Sequence, residues 1–143
     1  MVAALLGAFV LLSTEVAWWN SSRVVVQGTS QLDLQRDASF VLDSISDQAR
    51  GATSFTVGNY GSKVGNLVIL YGPGSNELAR YYWNPSDDKL YSSKNGGAVS
   101  KFIASNVDDL DFSANGKQLT MTLALEDPYS QSATFTTLAW LRN

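Results

Sequence analysis

Carboxylates are the main reactive groups of this chain, because its 143 residues include no Cys and no His. That composition excludes disulfides, thiolate and imidazole metal ligands, Cys nucleophiles and Ser/His/Asp triads. The densest acidic cluster is Asp108, Asp109 and Asp111, oxygen ligands of the type that hold Ca²⁺. A calcium cage needs about six or more such ligands and the EF-hand pattern is missing, so the cluster reads as a solvated turn leading into a strand. Asp87 and Asp88 make a weaker case, and no carboxylate pair stands out for glycoside hydrolysis. Gly72-Pro73-Gly74-Ser75 lacks the Lys and the following helix of a phosphate cradle and reads as a turn. Tyr81, Tyr82, Trp83 and Tyr91 are candidates for an aromatic surface that takes sugars or partner subunits, set against ordinary half-buried strand packing. No catalytic residue, cofactor or metal is predicted, and the chain reads as non-enzymatic.

The charge balance points the same way. Ten Lys and Arg against thirteen Asp and Glu leave a net charge of −3, which offers no general attraction to phosphate backbones, so nucleic acid is not an expected partner. With 45% apolar and 16% charged residues, the chain has the composition of one ordinary folded domain.

The elements that would carry these residues are unevenly polar. Met1 to Leu12 (MVAALLGAFVLL) has no charge and no hydroxyl, and Glu15 is the single charge among the first nineteen residues. At about 1.5 Å per residue this stretch makes a helix of about 28 Å, near the roughly 30 Å hydrocarbon core of a bilayer. The expectation is a membrane or filament-core segment, with Trp18 and Trp19 at the membrane interface. A cleaved secretory signal fits less well, since no basic residue precedes Arg23 and no small-residue cleavage site follows. The stretch reads as part of an element whose start lies upstream. Beyond it, Leu34, Ala38, Val41, Ile45 and Ala49 recur at helical spacing with Leu42 beside them, and charged residues fill the other positions. Gly51 is the stop signal.

From Ser54 the period becomes strand-like. Leu67 to Tyr71, Leu78 to Trp83, Lys89 to Ser92, Val99 to Ile103 and Ala133 to Leu141 are predicted strands, with Asn95-Gly96-Gly97 as a hairpin turn. Leu119, Met121, Leu123 and Leu125 alternate with polar or small residues after Asn115-Gly116, a dipeptide suited to a type I′ turn. The predicted fold class is α+β. A long N-terminal helix (1–52), apolar in its first half and amphipathic in its second, packs through Leu34, Ala38, Val41, Leu42, Ile45 and Ala49 on one C-terminal antiparallel β-sheet (53–143).

This order resembles the type IV pilins and the pseudopilins of type II secretion. The likeness is carried by MVAALLGAFVLL, by the amphipathic half ending DSISDQARGA, and by a Thr-rich sheet ending LRN. FIASNVDDLDFSANGKQLTMTLALE followed by TFTTLAWLRN is similar to minor subunits of the PilW and pseudopilin J type. The resemblance implies a pilin-like structural subunit that polymerises through an assembly helix comprising Val2, Ala3, Ala4, Leu5, Leu6, Gly7, Ala8, Phe9, Val10, Leu11 and Leu12. Its implied partners are other pilin or pseudopilin subunits, and the inner membrane before assembly. Its implied location is the bacterial inner membrane and then a pilus or pseudopilus in the periplasm or on the cell surface. The family's cleavage junction, its N-methylated residue and the acidic residue just beyond are not in this sequence, and Glu15 lies too far along the helix to replace that acid. On this reading they belong to residues before Met1. The rival reading is a membrane-tethered module that binds a ligand or glycan without polymerising.

Overall fold

The computed structural model describes residues 2–94, 100–128 and 130–141; within the helix, the side chains of residues 2–14, 16, 20, 23, 26 and 27 lie outside that description, as does the expected Asn95-Gly96-Gly97 turn. Helix α1 spans Val2–Gly51. The chain divides inside this helix into two compact units, Met1–Asp33 and Leu34–Asn143, earlier than the boundary after residue 52 that the sequence suggests.

The first unit is helical in its described residues. Gly28 and the β-branched Val24, Val25 and Val26 do not interrupt it, in keeping with a propensity cost of only about 1 kcal/mol for a helical glycine. The membrane expectation is corrected here. Among the described residues no helix is long and apolar enough to cross a membrane, which removes the basis for a transmembrane segment and for an inner-membrane location. The physical reason is visible in the residue types. The uninterrupted apolar run ends at Leu12, about 18 Å of helix, and Ser13, Thr14, Glu15, Asn20, Ser21, Ser22 and Arg23 then follow within three turns.

In the second unit the helix runs from Leu34 to Gly51 and is followed, among the described residues, by eight strands: β1 (Ser54–Tyr60), β2 (Lys63–Tyr71), β3 (Glu77–Asn84), β4 (Lys89–Ser93), β5 (Ser100–Ala104), β6 (Val107–Asn115), β7 (Gln118–Glu126) and β8 (Ser132–Trp140). The fold class is corrected as well. The strands form two antiparallel sheets, β1-β2-β3-β4-β5 and β6-β7-β8, so the unit is mostly β, with the Leu34–Gly51 part of α1 packed within it. The separation falls at Ser105-Asn106. Asn106 takes a positive φ of 58°, and Val107 then donates its N–H to the Asp88 carbonyl at 3.0 Å, turning the chain into a new sheet.

One core joins these layers. Leu34, Ala38, Val41, Leu42, Ile45 and Ala49 are buried together with Val68, Leu70, Tyr81, Trp83 and Leu90 of the larger sheet and with Leu110, Phe112, Met121, Leu123 and Leu125 of the smaller. A sheet of eight strands would expose much of the alternating apolar face of β7 beyond the reach of five helical turns. Folding β6–β8 over as a second layer buries Leu119, Met121, Leu123 and Leu125 completely or nearly so.

Local chemistry sets the connections. Thr53 anchors the end of α1 to the end of β2, its N–H and its hydroxyl both donating to the Tyr71 carbonyl at 2.8 and 3.2 Å. The β6–β7 connection pairs Asn115 with Gln118, so its central residues are Gly116-Lys117, one place later than expected. Only Gly116 has positive φ, which is the glycine requirement of a type II′ turn and not of type I′. At Gly65, with φ of 80°, an added Cβ would collide with the Asp111 carboxylate and come within 3.4 Å of the Phe112 carbonyl, so β2 passes β6 closely only because this residue has no side chain.

Candidate functional site

Three surfaces follow from this arrangement. The first is on the helix of the first unit. Trp18, Val25 and Leu32 stand seven residues apart and are 77%, 62% and 66% exposed. Seven residues bring an α-helix round to within about 20° of the starting direction, so these three line up. Between them, Ser22 and Thr29 turn their hydroxyls back on the helix, donating to the Trp18 and Val25 carbonyls at 2.9 and 3.1 Å. Such back-bonding satisfies the hydroxyls locally and leaves the apolar groups as what the stripe presents. Trp19 is also exposed, about 100° around the helix from Trp18. The interface role expected of the two tryptophans depended on the membrane span. The assembly residues Val2, Ala3, Ala4, Leu5, Leu6, Gly7, Ala8, Phe9, Val10, Leu11 and Leu12 have helical backbone, and their side chains lie outside the description.

The second surface is a groove in the second unit, of about 270 Å³, between α1 and β5. Leu34, Val41 and Leu125 contribute apolar wall, Asp37 a carboxylate, and Phe40 and Phe102 stand at it, 70% and 49% exposed. Phe40 sits off the stripe of Leu34, Ala38, Val41, Ile45 and Ala49, which is why it escapes the core.

The third is an aromatic row across the outer face of the larger sheet. Tyr60 stacks on Tyr82 with centroids 4.3 Å apart, Tyr82 on Tyr91 at 5.4 Å, and Tyr91 meets Phe102 edge-on at 6.5 Å. The four predicted aromatics thus divide by strand parity. Tyr82 and Tyr91 join this row, whereas Tyr81 and Trp83 point into the core. Burial raises the Tyr81 phenol above its usual pKa, partly offset by a hydrogen bond with Ser44 of α1. Tyr91 is also raised, chiefly because its hydroxyl donates to the Asp87 carboxylate at 2.6 Å, which favours the protonated phenol. Asn66 holds the row's first member in place. Wholly buried, its amide accepts from the Tyr60 N–H at 2.6 Å and donates to the Tyr60 and Trp83 carbonyls at 2.9 and 3.0 Å. The three tyrosines turn their ring faces toward one another and Phe102 closes the row edge-on, so its evident work is cross-strand packing.

The acidic cluster is dispersed by the fold. A register shift between Val107 and Asp109 sets Asp108 apart, while Asp109 and Asp111 stay on one face of β6, where Asp109 pairs with Lys63, whose ammonium also lies 4.8 Å from the Trp83 ring centroid. Asp108 faces a shallow pocket with Asp88, Glu126 and Asp127. Among the described residues no group of acids is placed to hold a metal ion. Tyr60, Phe102, Phe40 and Asn66 were not among the expected site residues. An aromatic residue off the apolar stripe was the available signal for Phe40, whereas nothing in the sequence marks Asn66 as buried.

Comparison with protein families, with curated proteins and with solved structures finds no match to this chain.

Proposed function

We propose that this chain is a non-enzymatic structural subunit that polymerises through its N-terminal helix, a filament subunit of the type IV pilus or type II secretion pseudopilus kind. The observation that carries the reading is the exposed line of Trp18, Val25 and Leu32 with its intervening hydroxyls satisfied on the helix itself. A stripe repeating every seven residues matches the same stripe on another copy, as in helices that pack side by side. Magnitudes favour an array over a pair. Burying three such side chains gives roughly 5–9 kcal/mol gross, about the lower part of the roughly 4–15 kcal/mol that association costs. A copy with several neighbours exceeds that cost; a copy with one barely meets it. The resemblance to pilins is in accord with this, and the absence of Cys and His with a structural role.

The test is sedimentation and electron microscopy of the purified full chain beside Leu32→Asp. The parent chain forms sedimenting filaments and the variant stays monomeric with an unchanged thermal transition. A parent chain that remains monomeric at every concentration, or a variant that assembles like it, overturns the reading. Retention of a monomer on a glycan column would instead support the rival binding-module reading.

A further inference from the structure

We propose that β8 is a docking edge for β8 of a second copy of this chain, so that two smaller sheets join edge to edge about a two-fold axis at Thr136. Two hydrogen bonds show which backbone groups face that edge. Leu141 donates its N–H to the Lys117 carbonyl at 3.0 Å, toward β7. At the strand's other end Glu126, opposite Ser132, donates to the Asn106 carbonyl at 2.9 Å, away from β8. Successive residues of a strand turn their N–H and C=O to alternate sides, and β7 pairs with all nine residues of β8 without a shift. Ser132, Thr134, Thr136, Leu138 and Trp140 therefore turn theirs outward, where no strand pairs with them among the described residues.

The other sheet edges are blunted. β1 has a register shift between Gly58 and Tyr60. β5 is only five residues long, carries Lys101 and is shifted against β4. β6 is shifted near its start and carries Asp108, Asp109 and Asp111. Bulges, charges and short length are the devices that keep an edge from pairing. β8 has none of them: SATFTTLAW contains no charge, no Pro and no Gly.

The strand itself selects a second copy as the occupant. Paired antiparallel over its whole length about Thr136, it sets Trp140 opposite Ser132 of the other copy, Leu138 opposite Thr134 and Phe135 opposite Thr137. Each large side chain thus meets a small one, and outward-turned backbone meets outward-turned backbone. Thr136 already lies against Thr122 of β7, hydroxyl oxygens 3.4 Å apart, and across the axis it meets its own counterpart, which continues the threonine row. Charge agrees with this register. The three acids of β6 sit on the strand farthest from the axis, and the two copies of β6 stand five strand spacings apart. That is about 24 Å, well beyond the roughly 8 Å screening length at physiological salt.

The experiment uses the absence of Cys from the chain. Thr136→Cys and Ser132→Cys are each introduced into the full chain carrying Leu32→Asp, so the outcome does not depend on assembly through the helix, and covalent dimer is followed under air oxidation. The pair covers little beyond Leu138 and Trp140 and forms transiently; a disulfide traps it. In the proposed register the two Thr136 positions are about 5.5 Å apart between Cα atoms, within disulfide range, whereas the two Ser132 positions are about 27 Å apart. Both side chains are exposed on the same face. Thr136→Cys is expected to dimerise at least about tenfold faster than Ser132→Cys, and adding Leu138→Lys should bring it down to the Ser132→Cys rate, because a charge blunts the edge. A Thr136→Cys rate no greater than that of Ser132→Cys, or one untouched by Leu138→Lys, overturns the β8 pairing and leaves the filament reading standing.

Discussion

Helix α1 carries large apolar side chains on both sides of Asp33, and treats them in opposite ways. From Leu34 onward all but Phe40 are hidden: Leu34, Val41, Leu42 and Ile45 are buried while Asp43, Asp47 and Arg50 face solvent. Before it, those whose side chains are described are displayed, with Trp18, Trp19, Val24, Val25 and Leu32 all exposed. Backbone hydrogen bonding is the same in both stretches, so helix formation and burial are separate decisions. The later stretch uses its apolar residues to hold two sheets together, whereas the large apolar residues described in the earlier one are exposed.

The sharpest way to break this contrast is to place one charge in each stretch. Ile45→Asp should destabilise the second unit by more than about 4 kcal/mol, because the carboxylate enters a core with no partner, and cooperative thermal unfolding should be lost. Leu32→Asp, thirteen residues earlier on the same helix, should shift stability by no more than about 0.5 kcal/mol. Equal effects would show that Leu32 is not the exposed residue its 66% accessibility indicates. A smaller effect is expected at Asn66. Changing it to Ala leaves the Tyr60 N–H and C=O and the Trp83 C=O without their partner in a buried site, a loss of about 3 kcal/mol in urea unfolding. A loss under 1 kcal/mol would mean that water replaces the amide.

The smallest effect is at Tyr91. Because donation to Asp87 raises its pKa above 10.0, the folded state holds this proton more tightly than the unfolded chain. Its contribution is therefore complete below about pH 10 and disappears as pH rises through the folded value. Asp87→Asn should move the phenol's ultraviolet titration back toward 10.0, with unfolding in mild alkali little changed. An unmoved titration would show that another group, not Asp87, sets the shift.

Much of the second unit can be read along the chain. The period of four and three in Leu34, Ala38, Val41, Ile45 and Ala49 marks a one-sided helix, and the period of two in Leu119, Met121, Leu123 and Leu125 marks a half-buried strand. Both are local properties, imposed by 3.6 residues per turn and by strand pleating. The partition into two sheets is not local. It depends on whether β6 pairs with β5 or crosses the core, and Ser105-Asn106 looks like any other turn until the chain has somewhere to cross to. The aromatic row is similarly hidden, since Tyr60, Tyr82, Tyr91 and Phe102 come from four strands and meet only through register. The apolar opening predicts a membrane segment through its length and its two tryptophans, whereas spanning requires an unbroken apolar stretch that Ser13 to Arg23 does not supply.

What the amino-acid order determined alone is the set of local periods and turns, together with the chemistry ruled out by the absence of Cys and His. Only the tertiary structure decided that eight strands would form two layers, that Phe40 and Phe102 would flank one groove, and that Asn66 would be sealed beneath Tyr60. Periodicity is a property of neighbours in sequence, fixed by backbone geometry. Burial and juxtaposition are properties of neighbours in space, fixed by which packing hides the most apolar surface while leaving backbone polar groups paired.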